Sequence, residues 1–318
     1  MARRIIFTGK GALTLETFTP EAVGENQVAV RTLLTLISPG TEGIALHRRF
    51  DPGTHWDRWV QYPFHAGYAA VGEVTEVGAN VADFKIGDRV VCNGNHASTI
   101  VLNATRCFPA PLEVPPEEAV WFMLAKIGAM VMPIVGNVFA QNVIVLGAGP
   151  IGQMAARWLN VAGPAQLVVI DPLAERTALI QKSIPSSVVM NASGDQEADI
   201  VVDTTGHVEA FAEALKLCRK FGRVALLGDP GSPSSQHLTS DMLRKGLTVT
   251  AAHARHENEN WNSKKIARLW FQYIMENKFN LKGLNTHRFQ PDDAVNAYDV
   301  ATVKREGMGV IFDWSKES

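Results

Sequence analysis

Asn142-Val143-Ile144-Val145-Leu146-Gly147-Ala148-Gly149-Pro150-Ile151-Gly152 carries an apolar strand straight into a G-x-G-x-x-G turn. The segment Gln153–Val161 that follows is compatible with a helix, and a second apolar run, Gln166–Ile170, ends on Asp171. Each part has a physical task. Gly147 permits the tight turn from strand to helix, Gly149 lets the backbone approach a pyrophosphate, and Gly152 lets the helix pack closely on the strand. Pro150 and Ile151 open the helix, whose N-terminus offers unpaired N–H groups and a positive dipole end to phosphates. Asp171, at the end of the second strand, can accept hydrogen bonds from ribose hydroxyls. The order strand, glycine turn, helix, strand, acid predicts a nicotinamide dinucleotide site, with NAD favoured over NADP. Arg176, five residues beyond the acid, leaves NADP as the alternative, because an arginine there helps to hold a phosphate.

A chain of 318 residues is long for one core and predicts two domains. Thirty Lys and Arg against 32 Asp and Glu leave a net charge of −2, with no basic run that would serve nucleic acid or an anionic membrane. The N-terminus, Met1-Ala2-Arg3-Arg4-Ile5-Ile6-Phe7, lacks a signal-peptide core, and the longest apolar stretch, Ala119–Val135, is interrupted by Lys126 and Pro133. Cys92, Cys107 and Cys218 are scattered and form no C-x-x-C pair, so neither disulfides nor a cysteine zinc site is expected. A cytoplasmic enzyme acting on a small molecule, with no nucleic-acid or membrane partner, is the expectation.

Before the glycine turn, residues 1–117 read as β-rich. Gln27–Thr35, Gly72–Val77, Arg89–Cys92 and Ser98–Leu102 have strand composition, separated by turns such as Pro39-Gly40 and Gly87-Asp88. Pro109, Pro111, Pro115 and Pro116 mark a linker, and an apolar helical pattern runs from Glu117 to about Gly136. Beyond it, strands at Val143–Leu146, Gln166–Ile170, Ile200–Asp203, Arg223–Leu227 and Thr248–Ala252 alternate with helical segments, including Val208–Lys220 and Lys264–Asn277. That alternation predicts an α/β fold with a doubly wound parallel sheet. The tail Asn285–Ser318 is too poor in apolar residues to fold alone and is expected to return to the first domain.

At this point the chain resembles the medium-chain dehydrogenase/reductase superfamily over nearly its whole length. The resemblance rests on Gly67-Tyr68-Ala69-Ala70-Val71-Gly72-Glu73-Val74 with Val77-Gly78, and on Phe84-Lys85-Ile86-Gly87-Asp88-Arg89-Val90. The glycine turn, Asp203-Thr204-Thr205-Gly206, Gly222-Arg223-Val224-Ala225-Leu226-Leu227-Gly228 and Thr286-His287-Arg288-Phe289 extend it. It implies a GroES-like β-rich catalytic domain built from both chain ends (1–117, with 284–318 returning to it) and a Rossmann domain over 118–283. Thr204 and Gly228 then join the cofactor-binding set. The resemblance also implies a homodimer whose sheets join through the strand near Thr248–Ala252.

Departures from the family pattern bear on mechanism. The turn that carries the first zinc ligand in zinc alcohol dehydrogenases reads Ile37-Ser38-Pro39-Gly40-Thr41-Glu42 here, which puts Ser38 at the ligand position. The histidine of the G-H-E motif is replaced by Tyr68, and the third ligand falls near Met123. Serine, tyrosine and methionine are not a set that holds catalytic zinc. The structural zinc lobe is missing too, since Val91-Cys92-Asn93-Gly94 runs almost directly into Ser98-Thr99-Ile100-Val101. No metal is therefore expected.

Hydride transfer still needs a group that polarises the carbonyl and handles a proton. Lys126 is a lone charge in an apolar helix, one turn beyond Met123, and a partly desolvated lysine there can serve as acid or oxyanion stabiliser; a snorkelling or acid-paired lysine is the alternative. Tyr68 is a second candidate donor, against a packed aromatic. Thr41 matches the proton-relay hydroxyl of zinc enzymes, against a turn hydroxyl at a helix start. Ser38, His47 and His253 are candidate substrate contacts in segments that border the substrate pocket in the family. His55 and His256 accompany the two histidines, and Trp56, Trp59 and Trp121 either line that pocket or pack in the core.

The Ser-Pro-Gly-Thr-Glu turn, the Gly-Tyr pair and the closing Phe312-Asp313-Trp314 are similar to a zinc-lacking branch that includes bacteriochlorophyllide hydroxyethyl dehydrogenases, although Ala69 replaces the glutamate that follows their Gly-Tyr pair. The reading is a metal-independent NAD(H) oxidoreductase that interconverts a secondary alcohol and a ketone on a polar, sugar- or polyol-like molecule. A quinone or enone reductase, and a crystallin-like dinucleotide-binding protein without turnover, stay open as alternatives.

Overall fold

The computed structural model describes residues 1–317. The chain divides into two compact units. The first comprises residues 1–123, 267–276 and 283–318, and the second residues 124–266 and 277–282. The boundary therefore lies at Met123/Leu124 rather than at 117/118, and Ala267–Glu276 belongs to the first unit although it was expected in the Rossmann domain. The reason is packing: Trp270 and Phe271 stack around Phe122 in the first unit's core.

The first unit is built on Gln27–Leu36, a ten-residue strand with apolar residues on both faces. It pairs antiparallel with Ala70–Val77, Thr99–Asn103 and Gly309–Asp313, so the chain's last strand closes a sheet begun near its start. Arg89–Cys92 and Cys107–Pro109 extend one side, and Asn285–Phe289 extends the other by a parallel pairing with Gly309–Asp313. A hairpin, Ala2–Gly9 with Ala12–Phe18, joined by the short strand Phe64–His65, forms a separate three-stranded sheet that the sequence reading did not identify. Its charged Arg3 and Arg4 obscure the strand pattern, yet Ile5 and Phe7 are fully buried. They join Trp56, Tyr298, Phe312 and Trp314 in one core cluster. The three cysteines are free and buried, but Cys92 and Cys107 are not scattered in space, because antiparallel pairing sets them directly opposite each other.

The second unit is a six-stranded, all-parallel sheet in the order Val188–Met190, Gln166–Ile170, Asn142–Leu146, Ala198–Asp203, Cys218–Leu226, Thr248–Ala251. Parallel strands buried on both faces read as continuous apolar runs, which is why this unit was the more legible in sequence. Thr248–Ala251 forms its edge and is largely exposed.

The apolar stretch 116–135 has the length and composition of a membrane span. It is broken into the short helices Pro116–Ala119, Phe122–Ala129 and Val131–Val135, and two-thirds of it is buried. That burial marks core helices rather than a span.

Candidate active site

In the parallel-sheet unit, the strand Asn142–Leu146 ends at Gly147, whose φ of +91° only glycine adopts readily. A Cβ there would also lie 2.7 Å from the Thr204 hydroxyl. That hydroxyl donates to the carbonyls of Leu146 (2.9 Å) and Gly147 (3.2 Å), so Thr204 ties the turn to the neighbouring strand. Gly149 caps the helix Pro150–Val161, with Pro150 at its first position, where the missing N–H costs nothing. A Cβ on Gly152 would sit 2.0 Å from the Gly147 carbonyl oxygen, whereas one on Gly149 would meet nothing nearer than the Arg176 guanidinium at 3.8 Å. The two glycines thus do different things. Gly152 lets helix and strand meet, and Gly149 keeps the mouth of the turn open, a cradle that a side chain would fill. Gly228 packs equally closely at the end of the next strand, where a Cβ would lie 2.4 Å from the Gly206 amide nitrogen.

Asp171 is almost wholly buried (6% exposed), and its two oxygens accept the N–H groups of Ala148 (2.8 Å) and Leu173 (2.9 Å). The predicted ribose acid is therefore also a brace across the glycine turn. Beneath it lies a support that the sequence reading missed. The Gln153 amide donates to the carbonyls of Ala148 and Arg176, both at 3.0 Å. Gln153 is held in turn by the buried Arg157, which also donates to Ser183 Oγ and the Asn280 carbonyl. Burial among neutral acceptors lowers the Arg157 pKa to about 9. These residues fit a dinucleotide: an open turn, a helix N-terminus whose first N–H groups lack preceding carbonyls, and a braced carboxylate.

Lys126 lies in the same unit and is not a lone charge. Its ammonium is 2.6 Å from the Glu257 carboxylate. Burial pushes the Glu257 carboxyl up, but hydrogen bonds from Lys126 and Ser263 outweigh it and leave the group below its ordinary range. The partner was invisible in sequence because 131 positions separate the two. His253 is exposed, with Nδ1 accepting the Arg255 N–H at 3.1 Å and its ring facing His256.

In the first unit, Ser38 lies two residues beyond the strand Gln27–Leu36 and caps the helix Pro39–His47. A serine at this position ordinarily turns its hydroxyl onto the first turn's N–H groups. Here it does not. Glu42, one position beyond the residue that closes a capping box, reaches back so that its Oε1 accepts the Ser38 N–H at 2.7 Å. The Ser38 hydroxyl accepts the Tyr68 O–H at 2.7 Å, and the Thr41 side chain lies close enough to the phenol to lower its pKa. Three residues singled out from sequence, Ser38, Thr41 and Tyr68, therefore form one cluster. Burial raises the Tyr68 pKa to about 12, and the nearby Glu42 charge adds to the rise against the lowering effect of the two hydroxyls. Gly67, at φ +92°, delivers Tyr68 and leaves room for His96, whose amide nitrogen would be 2.7 Å from a Cβ there.

His47 stands apart, bonded to Thr302 Oγ1 at 3.0 Å, and burial, helped by Arg49, lowers its pKa. Trp121 is core, donating to Asn285 Oδ1 at 2.8 Å, and Trp56 is buried against Trp59, whose own ring is half exposed. Met123 is buried, and among the described residues no three His, Cys, Asp or Glu side chains are grouped to hold a metal. Two hydroxyls and a thioether do not supply the charged or imidazole donors that catalytic zinc takes. The residues at these positions do not fit it.

Comparisons with known proteins agree with this architecture. Residues 24–113 match the alcohol dehydrogenase GroES-like domain, and residues 150–268 match the family described as zinc-binding dehydrogenase. That second stretch contains none of the three positions discussed above. The chain is 27% identical over 349 residues to an L-threonine 3-dehydrogenase from Paraburkholderia phymatum, covering 95% of this chain and 96% of the relative. The fold is similar to galactitol-1-phosphate dehydrogenase from Escherichia coli (TM-score 0.84, 20% identity, 98% and 99% of the two chains). It is also similar to an alcohol dehydrogenase from Escherichia coli CFT073 complexed with NADH (TM-score 0.82, 18% identity, 98% and 99%). The two domain matches and the full-length relatives support the medium-chain dehydrogenase/reductase superfamily and an NAD(P)-dependent alcohol dehydrogenase.

Proposed function

We propose that this protein is a metal-independent, NAD(H)-preferring oxidoreductase that interconverts a secondary alcohol and a ketone on a polar, sugar- or polyol-like small molecule. The observation that carries the reading is the Tyr68 phenol, held by the Ser38 hydroxyl beside Thr41 where zinc relatives hold a metal ligand. The bound dinucleotide supplies or accepts the hydride. Tyr68 donates a hydrogen bond to the substrate oxygen as charge grows on it, then its proton, and the phenolate left behind takes a proton back from water before the next turnover. With a pKa of about 12 it keeps that proton throughout the physiological range, so it acts as a donor in carbonyl reduction. Ser38 and Thr41 orient the phenol. Lys126, committed to Glu257, is assigned a fixed charge rather than the proton. The polar substrate class draws on the names of relatives that act on threonine, galactitol-1-phosphate and L-idonate.

The test is a panel of polyols, sugar ketones, quinones and enones followed by NADH absorbance, alongside elemental analysis of the purified protein. Turnover of the polar alcohol/ketone pairs with far less than one zinc per chain, undiminished by chelators, is expected. Stoichiometric zinc, or activity confined to quinones and enones, would overturn the reading.

Cofactor choice follows from Asp171. A carboxylate braced in place by two backbone N–H groups repels a 2′-phosphate and cannot swing away to make room for it. Fluorescence titration is expected to show tighter NADH than NADPH binding, by about tenfold or more, a difference of ~1.4 kcal/mol. Equal or tighter NADPH binding would shift the dominant role to Arg176.

A further inference from the structure

We propose that Glu42 is the positioning residue of the Tyr68 donor, setting both where the phenol points and the charge it faces; this rests on the reading of Tyr68 given above. Glu42 is 2% exposed. One carboxylate oxygen takes the Ser38 N–H, and the other takes the Tyr298 O–H and lies 3.0 Å from His96 Nε2. His96, itself fully buried, has its other ring nitrogen 2.7 Å from Thr35 Oγ1, which accepts the Trp314 indole N–H at 2.9 Å. With the hydrogen of His96 on Nε2 and that of the Thr35 hydroxyl on Nδ1, every one of these contacts has one donor and one acceptor.

Among the described residues no lysine or arginine is paired with Glu42. A buried carboxylate is costly unless its oxygens are filled; here three donors from three separate segments fill them. The titratable groups that face it are His96 from the loop before Thr99–Asn103, Tyr298 from the helix Ala294–Tyr298, and Tyr68 itself. Two consequences meet at the phenol. The Glu42 carboxylate fixes the Ser38 backbone through its N–H, and the Ser38 hydroxyl, which makes no cap bond to its own helix, is thereby held where Tyr68 donates to it. The Glu42 carboxylate also opposes ionisation of Tyr68, which works against proton donation, so the fall in turnover expected on its removal comes from lost orientation and not from charge. A glutamine keeps the size but puts an NH2 where Tyr298 and His96 now donate, so both must switch from donor to acceptor for their contacts to survive.

Three measurements on Glu42→Gln are expected. Turnover falls about tenfold or more, dinucleotide affinity is unchanged, and tyrosinate absorbance assigned to Tyr68, by difference from the Glu42→Gln/Tyr68→Phe double variant, appears at lower pH than in the parent. In the double-mutant cycle the loss is absorbed: Glu42→Gln adds little once Tyr68 is already phenylalanine. A lowered melting temperature with normal turnover makes Glu42 a core prop and overturns the proposal, as do losses that simply multiply. If Glu42→Gln does not fold, Glu42→Asp runs the same cycle, since the shorter carboxylate keeps the charge but not the span from Ser38 to Tyr298. Multiplying losses there overturn the proposal equally. Near-normal turnover in Tyr68→Phe alone sinks the Tyr68 reading and this inference with it, whereas a damaged Tyr68→Phe with an unaffected Glu42→Gln sinks the inference only.

Discussion

Tyr68→Phe is expected to lower turnover by about 10²–10³, the usual cost of removing one donor from a developing oxyanion. The ring and its packing survive the change, and what disappears is a single O–H, which in the resting protein donates to Ser38 Oγ at 2.7 Å. Dinucleotide affinity is expected to be unaltered, because the glycine turn, Asp171 and their supports belong to the other unit. The deficit should therefore appear in kcat for carbonyl reduction and leave cofactor titrations where they were. Lys126→Met is the informative contrast. Its ammonium is committed to Glu257, so its loss strands a partly buried carboxylate and should register in thermal stability more than in turnover. If instead Lys126→Met lowers turnover a hundredfold while Tyr68→Phe stays near normal, the donor is the lysine and the hydroxyl cluster is structural.

The contrast between these two side chains also shows what sequence can and cannot carry. The glycine turn was legible because the strand, three glycines, a helix and an acid lie within thirty residues, and local chain geometry fixes their relation. The parallel sheet was legible because its strands are buried on both faces. Tyr68, Ser38 and Thr41 were found one at a time by their departure from a metal-ligand pattern, and their convergence needed the fold. Glu42, His96, Tyr298, Thr35 and Trp314 come from five segments, and the pairing of Gln27–Leu36 with the last strand of the chain brings Thr35 and Trp314 into range. No spacing rule predicts that. The one local hint was Glu42 in the first turn of a helix capped by Ser38, an arrangement that invites a carboxylate to reach back to the cap. Lys126 shows the same limit: its isolation along the chain said nothing about which acid would pair with it, and the fold brings Glu257 alongside.

Gly149→Ala and Gly152→Ala, one motif and three positions apart, are expected to fail in opposite ways. At Gly152 the new methyl would lie 2.0 Å from the Gly147 carbonyl oxygen, a backbone atom that no rotamer change can move, so the helix Pro150–Val161 must lift from its strand. Overpacking of that kind costs about 3 kcal/mol. Because the lifted helix is also the one whose N-terminus faces the phosphates, the melting temperature and dinucleotide affinity should fall together. At Gly149 φ is −67°, an ordinary value for alanine, and nothing but the Arg176 guanidinium at 3.8 Å approaches the added carbon. The apo protein should melt as the parent does. The methyl nevertheless occupies the mouth of the turn where a pyrophosphate would lie against backbone, so affinity for NADH should drop at least tenfold, about 1.4 kcal/mol or more. Thermal melts of both variants with and without saturating NADH separate the two cases. The parent gains stability from the ligand by mass action, Gly149→Ala should start equally stable and gain little, and Gly152→Ala should start low. A Gly149→Ala protein that binds NADH as tightly as the parent would mean that the turn does not hold the pyrophosphate, and the dinucleotide would have to lie elsewhere on the sheet.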